Sequence, residues 1–235
     1  MKDTVYLKKK TKISSFKFNQ EVTNVFDDML VRSVPLYEVI HKSIINIIKK
    51  VYFSNCKILD LGCSNGKLFS VLLSEQLNVK YIGVDSSPFM IKEALGRYND
   101  KNCQFITKNI DQDFKMENID IVVANLTIQF IQPEIRQQLI KNLYHSLNKN
   151  SYLIIVEKEI CENNDLAALF TEIYHDFKKQ HGYSDLEIQQ KIKALKNILI
   201  PFTAQQNIDL LKNAGFEKIN PFIRWFNFSG YIAKK

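Results

Sequence analysis

The residues with the greatest chemical capacity stand where apolar runs end. In LDLGCSNG, residues 59–66, the run carries Asp60 and then breaks into small residues between Gly62 and Gly66. Glycines so placed let the backbone turn tightly and approach a ligand that a side chain would exclude. The spacing is not the GxGxxG that cradles a dinucleotide pyrophosphate. With Asp60 just ahead of the turn, it better fits a pocket for a nucleoside joined to an amino acid, although a plain strand-to-helix turn uses the same residues. A second run, YIGVD, ends in Asp85, a carboxylate placed to accept both hydroxyls of a ribose.

Two further ends complete the set. TKNI offers Asn109 and the Ile110 backbone to the edge and face of an adenine, while Asn109 also suits a simple turn. IVVANLTIQFI brings Asn125 to the point where a fourth strand should open on the reaction centre, with Gln129 and Phe130 either core or rim. Ser86 could assist Asp85 on the ribose, and Ser86, Ser87 and Pro88 also read as a helix start with proline in its first turn. The ligand that fits these ends is S-adenosyl-L-methionine (SAM). No Asn-Pro-Pro-Tyr run ends the fourth strand, which weighs against methylation of a base or glutamine nitrogen.

Metal and covalent chemistry find no support. His41, His145, His175 and His181 follow no metal-ligand spacing and are expected on surfaces or helices, and no Ser-His-Asp or Cys-His arrangement stands out. Cys56, Cys63, Cys103 and Cys161 lack CxxC spacing and are expected as reduced thiols. The net charge of +7 comes from scattered lysines, with LKKKTK the only cluster, so no nucleic-acid patch is expected. Arg32, Arg97, Arg136 and Arg224 are the only arginines, and each is a candidate for holding a carboxylate or phosphate. No apolar stretch is long enough to span a membrane and none follows the basic start, so the protein is expected to be cytoplasmic.

Periodicity supplies the elements that must position these ends. A chain of 235 residues with 46% hydrophobic content is expected to build one domain. Over residues 17–52 apolar positions recur at helical spacing, interrupted at Pro35, which gives a two-helix extension. CKILDLG, YIGVD, CQFIT, IDIVVANLT and SYLIIVEKE then alternate with helical patterns. Runs apolar on both faces read as parallel strands covered on both sides, a doubly wound α/β fold. FEKINPFI and WFNFSGYIAKK close it as an antiparallel pair, giving a mostly parallel, seven-stranded, Rossmann-like sheet. Between them, residues 162–200 form a helical insertion near the carboxyl ends of the strands, where ligands bind. Its stripe of Leu166, Leu169, Phe170, Ile173 and Phe177 suits a two-fold interface, or packing on its own domain.

Five stretches, FNQEVTNVFDDMLVRSVPLY, LDLGCSNG, NLTIQFIQPEIRQQLIKNLYHSLN, YHDFKKQHGYSDLEIQQK and NAGFEKINPFIRWFNF, resemble the carboxy-S-adenosyl-L-methionine synthase family of the class I methyltransferase fold. The resemblance covers nearly the whole chain, and RSVPLY and YHDFK through GYSDLEI are not features of the general fold. It implies a homodimeric enzyme that makes carboxy-SAM and phenylpyruvate from SAM and prephenate for tRNA wobble-uridine modification. No metal, no membrane and no direct tRNA contact are implied. The implied ligand contacts are Tyr37, Gly62, Cys63, Ser64, Asp85, Ser86, Asn109, Ile110 and Asn125, with the Tyr37 hydroxyl able to donate to the new carboxylate. Where the family carries an arginine that reaches the product carboxylate from the partner subunit, this chain has Ile192. Lys191, Lys193 and Arg224 are candidates to replace it, and Lys193 is favoured because a long side chain one position on can swing partly back. An ordinary methyltransferase acting on a small molecule or RNA, and a non-enzymatic SAM-binding relative, remain open beside this reading.

Overall fold

The computed structural model describes residues 1–235. Its strands are β1 (Lys57–Leu61), β2 (Lys80–Asp85), β3 (Cys103–Thr107), β4 (Ile119–Asn125), β5 (Leu147–Ile160), β6 (Phe202–Thr203), β7 (Lys218–Trp225) and β8 (Phe228–Lys234). The sheet runs β3-β2-β1-β4-β5-β8-β7. β1 to β5 pair in parallel, and β8 is antiparallel to both β5 and β7. This path contains the seven strands expected. The two-residue β6 beside the end of β5 is an addition, too short to leave a periodic trace in sequence. Strand order reverses between β1 and β4, and their carboxyl ends therefore flank a crevice.

The helices are α1 (Gln20–Ser33), α2 (Tyr37–Val51), α3 (Lys67–Ser74), α4 (Pro88–Arg97), α5 (Pro133–Ser146), α6 (Asn164–Gln180), α7 (Asp185–Leu195) and α8 (Ala204–Lys212). Alternation along the strands sends neighbouring side chains to opposite faces. Ile154 and Val156 join Ile44 and Ile48 of α2 and Phe69 of α3 in one core, while Leu153 and Ile155 join Leu139 and Leu143 of α5 in the other.

The extension and the insertion meet over the first of these faces. Arg32 at the end of α1 donates from Nε to His181 O and from Nη2 to Gly182 O, both at 2.7 Å, and its guanidinium lies 3.9 Å from the centre of the Tyr183 ring. The RSVP corner and the GYS turn are thus halves of one joint. Pro35 and Leu36 make the bend, with Leu36 in the left-handed region at φ 56°. Ser184 and Glu187 then form a capping box that starts α7.

Residues before α1 strap this joint from outside. The Tyr183 hydroxyl donates to Asp3, Gln190 Nε2 donates to Tyr6 O and Lys8 O at 2.9 Å, and Phe16 N donates to Ala194 O at 2.8 Å. The side chains of Lys8, Lys9 and Lys10 are exposed, but the backbone beneath them is tied down. The apolar stripe of α6 divides: Phe170 and Phe177 pack on Phe226 and Trp225, whereas Leu166 and Leu169 stay 46% and 48% exposed.

Candidate active site

Above the carboxyl ends of β1, β2, β4 and β5 lies a cavity of about 960 Å³, walled also by residues of α1, α2, α6 and α7. The polar floor follows from strand parity. Ile58–Asp60, Ile121–Val123–Asn125 and Ile154–Val156–Lys158 each continue one face of a strand, so the last residue of each emerges from the apolar core toward the cavity.

At the β1 end, Gly62 holds φ +75°, and an added Cβ would come within 2.4 Å of Thr127 Oγ1. That hydroxyl donates to Leu61 O at 2.8 Å, so it is fixed against the turn. Asp85 spans the site. One of its oxygens accepts from Ser64 N at 2.9 Å and the other from Ser87 N at 2.8 Å. Each oxygen keeps a lone pair after serving the backbone, which fits two ribose hydroxyls. Burial pushes the Asp85 pKa up, and the two backbone donors pull it back. Two further bonds lock α1 and the segment leading into it to this end: Ser87 Oγ donates to Phe18 O at 2.6 Å, and Asn65 Nδ2 donates to Asp27 at 2.8 Å. Asp60 accepts from the Tyr81 hydroxyl, and burial raises its pKa to about 7.

At the floor, Asn125 Nδ2 donates to His41 Nε2 at 3.3 Å. Burial pulls His41 down to about 4, so the ring is neutral with its proton on Nδ1. Asn125 Oδ1 and His41 Nδ1 are buried without a protein partner, an acceptor and a donor left for a ligand or water. The expectation of a surface or helix histidine holds through the helix. His41 is helical but buried, one turn beyond Tyr37, with ring centres 4.5 Å apart. Its place between Tyr37 and Ile44 on the apolar face of α2 is the signal that could have found it.

Tyr37, Gly62, Cys63, Ser64, Asp85, Ser86, Asn109, Ile110, Asn125 and Lys193 all border this one cavity. Ile192 and Lys193 stand on its exposed rim, Ile192 at 41%. Burial drives the Cys63 thiol well above its ordinary pKa, which keeps it protonated. None of the four arginines borders the cavity. Arg32 holds the joint, Arg97 pairs with Asp27 and Glu93, and buried Arg136 donates to the carbonyls of Gln129, Ile131 and Ile200. Arg224 is exposed on β7, which removes it as a replacement within this subunit.

The opposite end of the cavity is basic. Lys158 of β5, Lys178 of α6 and Lys191 of α7 border it, and none makes an ion pair. The ammonium groups of Lys178 and Lys158 lie 4.3 and 4.6 Å from the centre of the Tyr174 ring. Lys191 Nζ donates to Ser33 Oγ at 3.0 Å, and the Tyr174 hydroxyl donates to Ser33 O at 2.8 Å. Burial lowers Lys158 and Lys191 to about 8 and Lys178 to about 7, with Lys158 and Lys191 adding repulsion at Lys178. Neither Lys158 nor Lys178 was singled out in sequence: strand alternation through Ile154 and Val156 is the signal that could have found Lys158, whereas nothing local distinguishes Lys178 among many scattered lysines.

A sheet reversed between β1 and β4, a glycine turn after β1 and an acidic end on β2 define the class I SAM-dependent methyltransferase fold. A family model described as a methyltransferase domain matches residues 52–213. Human N-acetylserotonin methyltransferase, solved with SAM, superposes with a TM-score of 0.63 at 14% identity, covering 92% of this chain and 55% of that one. A putative SAM-dependent methyltransferase of Methanococcus maripaludis gives 0.61 at 17% identity, covering 96% and 97%. Within that fold the sequence is more specific. Proteins of Nautilia profundicola and Campylobacter lari named carboxy-S-adenosyl-L-methionine synthase are 42% and 38% identical, each comparison covering 100% of both chains. The chain belongs to the carboxy-S-adenosyl-L-methionine synthase family.

Proposed function

We propose that the protein converts SAM and prephenate to carboxy-SAM and phenylpyruvate, supplying carboxy-SAM for modification of the tRNA wobble uridine. Beside the family relationship, the observation that carries this reading is one cavity with a ribose-competent carboxylate at one end and unpaired ammonium groups at the other. It offers room and opposite charge for a nucleoside and an anionic second substrate together. In this reading Asp85, assisted by Ser86, accepts the ribose hydroxyls, Asn109 and Ile110 take the adenine, and Gly62, Cys63 and Ser64 line the rest of the nucleoside site. Asn125 and Tyr37 stand beside the reacting group, where the Tyr37 hydroxyl donates to the new carboxylate.

Bound SAM would supply a sulfonium that acidifies its methyl group. In the overall change prephenate loses its ring carboxyl and ring hydroxyl and becomes aromatic. The carboxyl unit ends on the methyl carbon, and the departing hydroxide takes the proton released there, leaving as water. The side chains position and exclude water, in a site whose fixed dipoles favour the charge that develops.

The same reading makes the chain one cytoplasmic SAM-binding domain, working without a metal and without touching tRNA itself. No helix is long and apolar enough to cross a membrane. The exposed Leu166 and Leu169 of α6 suit a second copy of the chain, giving a homodimer. Incubation with SAM and prephenate, followed by mass spectrometry of the nucleoside, is the test. Carboxy-SAM should form only with both substrates. S-adenosylhomocysteine with a methylated acceptor would mark an ordinary methyltransferase, and unchanged SAM a binding protein without activity.

A further inference from the structure

Three ammonium groups converge on the insertion side of the cavity from three consecutive elements: Lys158 from β5, Lys178 from α6 and Lys191 from α7. Lys178 is 5% exposed, and no carboxylate pairs with any of the three. Their protein contacts are the Tyr174 ring, shared by Lys158 and Lys178, and, for Lys191, the Ser33 hydroxyl and the Tyr183 ring at 5.5 Å. The Tyr174 ring is fixed by its own bond to Ser33 O. Desolvated like charges repel one another, and a fold gains nothing by gathering them unless an anion completes the set.

We infer that Lys158, Lys178 and Lys191 form the site for the carboxyl donor, and that they hold the carboxylate of its pyruvyl side chain. This rests on the activity proposed above and names the side chains that would recognise its second substrate. The choice between the two carboxylates of prephenate follows from what each must become. The ring carboxyl leaves as a neutral unit, so ammonium groups against it would stabilise the starting state over the transition state. The pyruvyl carboxylate stays charged throughout and is present in phenylpyruvate, so cations placed there bind without opposing the reaction. Tyr174, approached by both Lys158 and Lys178, also borders the cavity and gives the arylpyruvate an aromatic wall.

The test is calorimetry on protein saturated with S-adenosylhomocysteine, which has no methyl group to carboxylate. Prephenate and phenylpyruvate are titrated into wild type, Lys158→Met, Lys178→Met, Lys191→Met and Lys178→Arg. Each methionine variant should lose about tenfold or more in affinity for both anions, as expected for removal of a charged hydrogen-bond donor. Lys178→Arg should retain most of the affinity, and SAM affinity should stay within about twofold in every variant, because the nucleoside end is held by neutral donors and Asp85. Prephenate binding unchanged in the methionine variants overturns the site. A parallel loss of SAM affinity overturns it too, by placing the amino-acid end of SAM at the lysines. Loss for prephenate alone, with phenylpyruvate unaffected, overturns the pyruvyl assignment in favour of the ring carboxylate. Failure of the activity is separable: lysine-dependent binding in a protein that forms no carboxy-SAM would leave the anion site standing and remove the synthase reading.

Discussion

The two ends of the cavity treat charge in opposite ways. At the nucleoside end each buried carboxylate is served by the fold itself, Asp85 by two backbone N–H groups and Asp60 by Tyr81. At the insertion end three ammonium groups have two aromatic rings, Tyr174 and Tyr183, and one serine hydroxyl between them. The first end is complete before any ligand arrives, and shape and hydrogen bonds decide what enters. The second is incomplete and depends on an anion, so binding there should answer more strongly to added salt than binding at the first end.

Asp85→Ala should break the first end most severely. It strips both ribose acceptors and orphans Ser64 N and Ser87 N, so SAM affinity by calorimetry should fall by about two orders of magnitude. Prephenate affinity in the presence of S-adenosylhomocysteine, added to saturation, should hold. Equal losses for both ligands would mean that the two ends are not separate.

Lys178→Met sharpens the contrast from the other side, because removing an uncompensated charge should stabilise the ligand-free protein. The folded pKa of Lys178, about 7, lies below its ordinary 10.5, with Lys158 of β5 and Lys191 of α7 facing it and His175 on its own helix. Holding the charge therefore costs stability in full below pH 7. That cost is relieved as pH rises toward 10.5, where the unfolded chain also loses the proton. The variant should exceed wild type by about 2 kcal/mol in urea unfolding at pH 6.5, and the gap should close by pH 10.5. A gap that widened with pH would show that the ammonium group is already paired.

Ile192→Arg adds a guanidinium at the exposed rim. Carboxy-SAM binding should tighten by several-fold, an effect of about 1 kcal/mol for a partly exposed pair. No change would place the product carboxylate beyond reach of this rim. The smallest effect should come from salt. Raising sodium chloride from about 50 to about 500 mM should weaken prephenate binding by a few-fold and leave SAM binding nearly constant. Equal sensitivity of the two ligands would erase the distinction.

What the sequence made legible was local. LDLGCSNG and YIGVD fix strand ends by composition, and alternation through Ile154 and Val156 already places Lys158 on the cavity face. The convergence of Lys178 and Lys191 on that residue is set by how α6 and α7 dock, which no local pattern encodes. Lys193, favoured in sequence, stands exposed on the rim, while Lys191 turns its ammonium group inward to Ser33. The α6 stripe teaches the same lesson: periodicity marks an apolar face, yet Phe170 and Phe177 cover their own hairpin while Leu166 and Leu169 remain exposed.

The strap of residues 3–16 bears on the order in which the molecule can be made. Tyr6 and Lys8 give their carbonyls to Gln190, across 184 and 182 residues, and Phe16 closes on Ala194. These residues leave the ribosome early, but their partners emerge only when most of the chain has been synthesised. Closing so long a loop is slow relative to local pairing. The parallel strands β1 to β5 and their nucleoside end should therefore form before the lysine end, which is completed when residues 3–16 return to clasp α7.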